Sequence, residues 1–253
     1  MIIRRDARRT GDRQFERFRP RPGSDYIASG FALACFTELV ERRRPGSILE
    51  IGAGIGAITD TVLNARERAG RADGTYVAIE DISFCLEQLS ANLGARAGQV
   101  TVLPRAAAMP PELGPFDLVI VDGAATTDLF PEDRHRFGES AQDDEVRAWL
   151  PRIAHRGIVA VENVRLPQRR ILEAEVGRSF VHEHVRPFDN TPGVHLYRFE
   201  PTDAERALAR AGNAVRPLWF DHGLPLAKRV YAKALHRPFP RRATVAPGED
   251  GWA

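Results

Sequence analysis

Sulfur is scarce in this 253-residue chain, which has two cysteines, Cys35 and Cys85, and two methionines. Both cysteines fall among apolar neighbours in stretches of helical spacing, so they read as buried free thiols, and a disulfide-held scaffold is excluded. Lysine is nearly absent: Lys228 and Lys233 are the only two. No apolar run reaches the ~18 residues that a membrane-crossing helix needs. The opening stretch MIIRRDARRTGDRQFERF has no apolar signal region, which sets the expectation of a cytoplasmic protein. There is no internal repeat. Hydrophobic residues at 43% and charged residues at 28% exclude a wholly disordered chain, and the length suits one α/β domain with appendages.

The net charge of +2 conceals an uneven distribution. Residues 1–22 hold eight arginines against Asp6, Asp12 and Glu16, and residues 228–242 hold six Lys or Arg and no acid. The ends are basic and the body is acidic. Basic ends can meet an anionic surface such as a membrane, a phosphorylated carrier or RNA, or they can be solvated and packed on the acidic body. Both readings stay open.

The stretch Ser47–Asp60, SILEIGAGIGAITD, organises the rest. A short apolar run ends in Glu50, and Gly52, Ala53, Gly54 and Gly56 form a loop before helical spacing resumes. The pattern predicts a strand, a glycine loop and a helix start, where a ligand can lie against the backbone and meet unpaired N–H groups. Gly52, Gly54 and Ala57 also satisfy the dinucleotide fingerprint G-x-G-x-x-G/A. Two features favour S-adenosylmethionine over a nicotinamide or flavin. Glu50 places a carboxylate where a dinucleotide-binding strand is apolar, and an acid there can meet the amino group of a methionine moiety. A helix-forming segment also precedes the loop, whereas a dinucleotide fold commonly begins at its glycine strand. Glu80, at the end of the next strand, suits ribose hydroxyls under either reading.

ILEIGAGIGAITD, YVAIEDIS, FDLVIVDGA and GIVAVENVR occur in this order, and through them the chain resembles the class I S-adenosylmethionine-dependent methyltransferases over roughly Asp25 to Glu200. The resemblance implies an α/β doubly wound, seven-stranded, mostly parallel sheet with an antiparallel last strand. It implies a cofactor held by Glu50, Gly52, Ala53, Gly54, Gly56, Glu80, Asp81 and Asp122, with the adenine against Arg105 and Ala106. A cofactor-binding protein without catalysis and an NAD(P)-dependent oxidoreductase are the alternatives.

The rest of the chain fits this frame as a basic arm over 1–23, a cofactor domain over 24–200 and a helical, basic extension over 201–253. Residues 1–23 lack periodic apolar positions and read as an arm or mobile lead-in. Ser24 is a candidate N-cap for a helix ending before Pro45-Gly46. Ala57–Ala69 reads as the first crossover helix, and Asp81–Leu93 as the second, capped by Asp81 or Ser83. Phe116–Val121 is a nearly continuous apolar run, the mark of a central parallel strand. A long acidic loop, 123–142, follows and contains His135; loops of this length are functional lids or insertions. Val146, Leu150 and Ile153 mark a helix, and Gly157–Val161 a fifth strand. Phe180–Pro187 and Val194–Phe199 alternate as strands joined too closely for a crossover, so they pair antiparallel. Thr202 and Glu205 make a capping box. The segment Leu226–Leu235 suits a surface-bound helix, a lid or a homodimer contact.

For the methyl acceptor, the sequence after the fourth strand is Asp122-Gly123-Ala124-Ala125. Amino-methylating relatives carry an Asn- or Asp-Pro-Pro-Tyr motif there, so nucleic acid is disfavoured even though the glycine loop is similar to that of ribosomal RNA adenine dimethyltransferases. Neither cysteine has the Pro-Cys context of a pyrimidine C5 enzyme. Asp122 with Glu162-Asn163 resembles instead the Asp, Asp-Asn set of catechol and caffeoyl-CoA type O-methyltransferases. That resemblance implies Mg²⁺ on Asp122, Glu162 and Asn163 and a small hydroxylated acceptor. Glu replaces one Asp, and the family's lysine base is missing. Asp122 and His135 are the catalytic candidates, and a merely solvated His135 is the alternative.

Overall fold

The computed structural model describes residues 1–71, 73–122, 146–162, 179–187 and 193–218. The spine is a seven-stranded sheet: β1 (Ser47–Ile51), β2 (Thr75–Ile79), β3 (Thr101–Leu103), β4 (Phe116–Val121), β5 (Ile153–Glu162), β6 (Phe180–Val185) and β7 (Val194–Phe199). Their order is β3-β2-β1-β4-β5-β7-β6. The pairs from β3 through β5 are parallel, while β7 runs antiparallel to both β5 and β6. The doubly wound sheet with an antiparallel last strand is therefore present as the sequence implies, and strand order reverses between β1 and β4.

Strands buried on both faces carry near-continuous apolar runs. Ile48, Leu118, Ile120 and Ile158 join the core beneath the helices α2 (Gly30–Arg43) and α3 (Ala57–Arg68). Leu49, Ile51, Val119, Val121 and Val159 join the core of the opposite face, with Trp149 and Tyr197. The alternation along β1 turns Glu50 to the α3 side. Helix α4 (Ser83–Leu93) follows β2, and helix α5 (Asp203–Leu218) follows β7. The capping box of α5 forms in both directions: Thr202 N–H donates to Glu205 Oε2 at 2.9 Å, and Glu205 N–H donates to Thr202 Oγ1 at 3.2 Å.

Several expectations are corrected. Residues 1–23 are not a lead-in without structure, because Arg5–Phe18 forms a helix, α1, that buries Ala7, Thr10, Gly11, Gln14 and Phe18. Ser24 lies in a short 3₁₀ turn, and α2 is capped by Ser29, whose side chain accepts from Ala32 N–H at 3.2 Å. Neither Asp81 nor Ser83 caps α4; its N-cap is Ile82, without a side-chain cap. Ile153 opens β5 rather than ending a helix, since Pro151 sits in a 3₁₀ turn that breaks the helical run. Both thiols are free, but only Cys35 is buried, with Cys85 half-buried. Among the described residues no helix is long and apolar enough to cross a membrane.

Candidate cofactor site

The carboxyl ends of β1, β2 and β4 meet where the strand order reverses, the position at which open α/β sheets bind ligands. Backbone bonds lock the meeting point. Gly52 and Ala53 N–H both donate to Ile79 O, at 3.0 and 3.1 Å, and Asp122 N–H donates to Ile51 O at 3.0 Å. The loop then turns through Gly54 (φ 53°) and Gly56 (φ 90°) into α3. These left-handed angles are strained for any side chain. A Cβ on Gly56 would also strike Leu89 Cδ1 at 2.7 Å, whereas one on Gly54 would meet nothing within 4 Å. The loop is thus packed from below at Gly56 and open at Gly54. No side chain caps the first turn of α3, so its amide end faces the loop uncapped.

Two carboxylates stand on either side of this loop. Glu80 follows β2 and is 7% exposed. Its Oε2 accepts from Gly54 N–H at 2.7 Å, and its Oε1 accepts from Asp81 and Ile82 N–H at 3.1 and 3.0 Å. Burial raises its pKa, and the backbone donors oppose that shift. Glu50 is fully buried. Its Oε2 accepts from Tyr76 OH at 2.5 Å and Thr59 Oγ1 at 2.9 Å, while its Oε1 is buried and has no partner. Burial pushes the Glu50 carboxyl up to about 7 against those two hydrogen bonds. An orphaned buried acceptor of this kind is costly unless a further donor or cation reaches it.

The structure therefore brings Glu50, Gly52, Ala53, Gly54, Gly56, Glu80 and Asp122 to one place. Asp81 is next to them and exposed. Beyond the end of β3, Arg105 is exposed and Ala106 is buried. Glu162 ends β5, but it faces α2: its Oε1 accepts from Ser29 N–H at 2.9 Å and Ser29 Oγ at 3.2 Å. His135 and Asn163 lie outside the described residues, as does loop 123–142. Among the described residues no group of His, Cys, Asp or Glu is arranged to hold a metal ion. Glu162 Oε1 is thus taken by the start of α2, and the Mg²⁺ set implied by the resemblance is incomplete among the described residues because Asn163 lies outside them.

Sequence reasoning missed the groups that hold these residues. Thr59 and Tyr76 grip Glu50 from α3 and β2. Asn92 ties the loop to the chain ahead of α2, donating to Ile55 O at 2.9 Å and accepting from Arg21 Nη1 at 2.9 Å. Thr59 lies in the first turn of the predicted helix, nine residues after Glu50, and that spacing alone does not set the two side chains against one another.

This architecture is the class I S-adenosylmethionine-dependent methyltransferase fold. It is shared with solved structures at low identity. TomG, an O-methyltransferase from Streptomyces achromogenes involved in tomaymycin synthesis and bound to S-adenosylmethionine, is 21% identical at TM-score 0.53, over 79% of this chain and 92% of its own. PaMTH1, a methyltransferase from Podospora anserina bound to S-adenosylhomocysteine, is 17% identical at TM-score 0.52, over 76% and 88%. Cofactor-bound Rv0187 from MTB is 16% identical at TM-score 0.51, over 80% and 93%. No protein-family model matches the chain, and no curated protein does.

Proposed function

We propose that this chain is an S-adenosylmethionine-dependent methyltransferase that methylates a hydroxyl of a small molecule. The observation that carries the reading is the pairing of an open glycine loop with two buried carboxylates, Glu50 with a free acceptor oxygen and Glu80 against Gly54 N–H. The fit is chemical. Glu50 Oε1 suits the ammonium of a methionine moiety, the uncapped start of α3 suits its carboxylate, and Glu80 suits vicinal ribose hydroxyls. The donor, when bound, supplies a methyl on a positively charged sulfur, open to in-line attack by an oxygen nucleophile.

The residues of the chain then position and deprotonate. Rigid strand ends hold the loop and Asp122 in register, and orientation of this kind is the larger part of what in-line displacement requires. Asp122, one residue beyond β4, is fixed at the carboxyl end of that strand by its N–H to Ile51 O. In this proposal it orients the acceptor hydroxyl, and the proton leaves to Asp122 or to His135. Glu162 keeps the start of α2 on the end of β5 through its Oε1, and in this reading no step uses a metal. Chelation is then expected to leave turnover unchanged. Loss of turnover on chelation, restored by Mg²⁺, would return Asp122 and Glu162 to a ligand set.

Calorimetric titration with S-adenosylhomocysteine tests the cofactor class: saturable binding supports it, and no binding at millimolar ligand together with tight NADH binding overturns it. Incubation with the methyl donor and a panel of hydroxylated metabolites, read as a mass gain of one methyl, tests catalysis. Binding without any methylated product would leave a cofactor-binding protein. As for partners, we propose that α1 contributes to an anionic contact through Arg5, Arg9 and Arg13, which are exposed at i, i+4 spacing.

A further inference from the structure

At the opposite edge of the sheet, where the strands begin, a groove opens that the cofactor reading does not use. Leu118 and Ile158 form part of its floor, and Arg43, Arg44, Arg71 and Arg156 stand around it. The four arginines arrive from three breaks in the fold. Arg43 and Arg44 end α2, Arg71 follows α3, and Arg156 sits at the irregularity in the register of β5. Backbone strain is concentrated at this place. Three non-glycine residues have left-handed φ among the described residues: Arg44 at 49°, Arg156 at 60° and Glu200 at 40°. Arg44 and Arg156 line the groove, and Glu200 Oε2 accepts from Arg156 N–H at 3.4 Å. Such angles cost free energy, and they persist where the surrounding structure fixes a side chain for use, ligand clamps included.

The charges do not cancel. Glu205 takes up two of the cations, with Oε1 2.7 Å from Arg43 Nη2 and Oε2 3.2 Å from Arg156 Nη2. Burial raises the Glu205 carboxyl, but hydrogen bonds from Arg43 and from Thr202 outweigh it and hold the group down at about 2. The acid of the groove itself, Asp117, spends Oδ2 on Gly46 N–H at 2.8 Å, Ser47 N–H at 3.1 Å and Ser47 Oγ at 3.3 Å. Arg44 and Arg71 have no carboxylate within ion-pair distance among the described residues, and Arg71 Nη2 reaches over Gly46, 3.6 Å from where a Cβ there would stand. Two guanidinium groups with no carboxylate partner among the described residues thus line one open groove, together with Leu118 and Ile158. Planar forks of this kind match phosphate oxygens in bidentate fashion.

We propose that this groove binds a phosphate monoester, its dianion held by Arg44 and Arg71 and its organic part lying on Leu118 and Ile158, with Arg43, Glu205 and Arg156 as a fixed frame. The site is separate from the cofactor loop and independent of the methyltransferase reading. Phenyl phosphate, titrated calorimetrically into the full chain at low ionic strength, is the probe. The expected result is saturable binding with one site per chain, weakened at least tenfold in the double variant Arg44→Gly/Arg71→Gln and in benzoate, which carries one charge. Glycine is chosen at position 44 because it accepts the left-handed cap, and Arg71→Gln alone is expected to show a smaller loss. Binding of S-adenosylhomocysteine is expected to be equal in both proteins, which shows that the double variant is folded. No saturable heat with millimolar phenyl phosphate, unchanged affinity in the double variant, or displacement of the probe by S-adenosylhomocysteine each overturns the proposal.

Discussion

Glu50 is held neutral or made costly by its surroundings, and the sign of that effect can be worked out. Its carboxyl lies at about 7 in the folded chain against an ordinary glutamate near 4.5, with burial as the leading cause. A raised acid favours folding below the unfolded pKa, and the benefit is lost as pH rises through the folded value. Without cofactor, stability should therefore fall between about pH 4.5 and 7. Glu50→Gln, which copies the neutral acid, should melt close to the parent at pH 5 and above it at pH 8. The same variant should bind S-adenosylhomocysteine more weakly, because the amide brings no charge to an ammonium. Equal melting differences at both pH values would show that Glu50 is already ionised at pH 5. Glu80→Ala should weaken the same ligand by about 1–3 kcal/mol, as expected when a buried acceptor partner is lost, and an unchanged affinity would remove Glu80 from the site. Both carboxylates were legible in the sequence because each ends an apolar run, where a charge needs a reason. Thr59, Tyr76 and Ser29 were not legible: their roles depend on which strand and helix faces oppose one another, and one-dimensional spacing does not carry that information.

Helix α1 shows how an element can be hidden from hydrophobic periodicity. Its buried seam, Ala7, Thr10, Gly11, Gln14 and Phe18, has ideal helical spacing. Only Phe18 is a large apolar residue, so the stripe reads as polar. The seam is small because the helices touch: a Cβ at Gly11 would lie 2.3 Å from Gly30 O and 2.5 Å from Ala34 N. What replaces hydrophobic contact is a buried carboxylate on α3. Asp60 is fully buried, and its Oδ2 accepts from Arg17 Nη1 at 2.5 Å, Gln14 Nε2 at 3.0 Å and Asn64 Nδ2 at 2.9 Å. Its other oxygen pairs with Arg96. Removing Asp60 leaves the buried Gln14 amide without its acceptor and the partly buried Arg96 without its carboxylate, which costs about 1–3 kcal/mol. Asp60→Ala is accordingly expected to lower the denaturant midpoint steeply and to speed amide exchange in residues 5–18. If exchange there stays as slow as in the parent, α1 is held by its seam alone.

At the scale of the whole molecule, the sheet order and the placement of the crevice followed from four motifs and a short hairpin, since parallel crossovers leave few arrangements open. The relation of the chain's first helix to that crevice did not follow. Phe18, at the end of α1, is buried with Ile55 and Ala57 on the flank of the glycine loop, and Arg21 reaches Asn92, which in turn holds Ile55 O. The opening segment is thus a wall of the glycine loop, whereas none of the described residues proposed to hold the cofactor comes from α5. Removing residues 1–22 should both lower the melting temperature and weaken S-adenosylhomocysteine binding at least tenfold, while ending the chain after Leu218 should leave that affinity within twofold. Loss of fold alone could produce the first result, so two point variants separate the causes. Phe18→Ala opens a cavity beside the loop and should cost about 3–5 kcal/mol of stability. Arg21→Ala removes an exposed guanidinium and should leave the melting temperature nearly fixed while weakening the ligand, because the support of Ile55 through Asn92 is loosened. If Arg21→Ala and the long truncation both bind as the parent does, α1 stabilises the domain without shaping the loop, and the wall assignment fails.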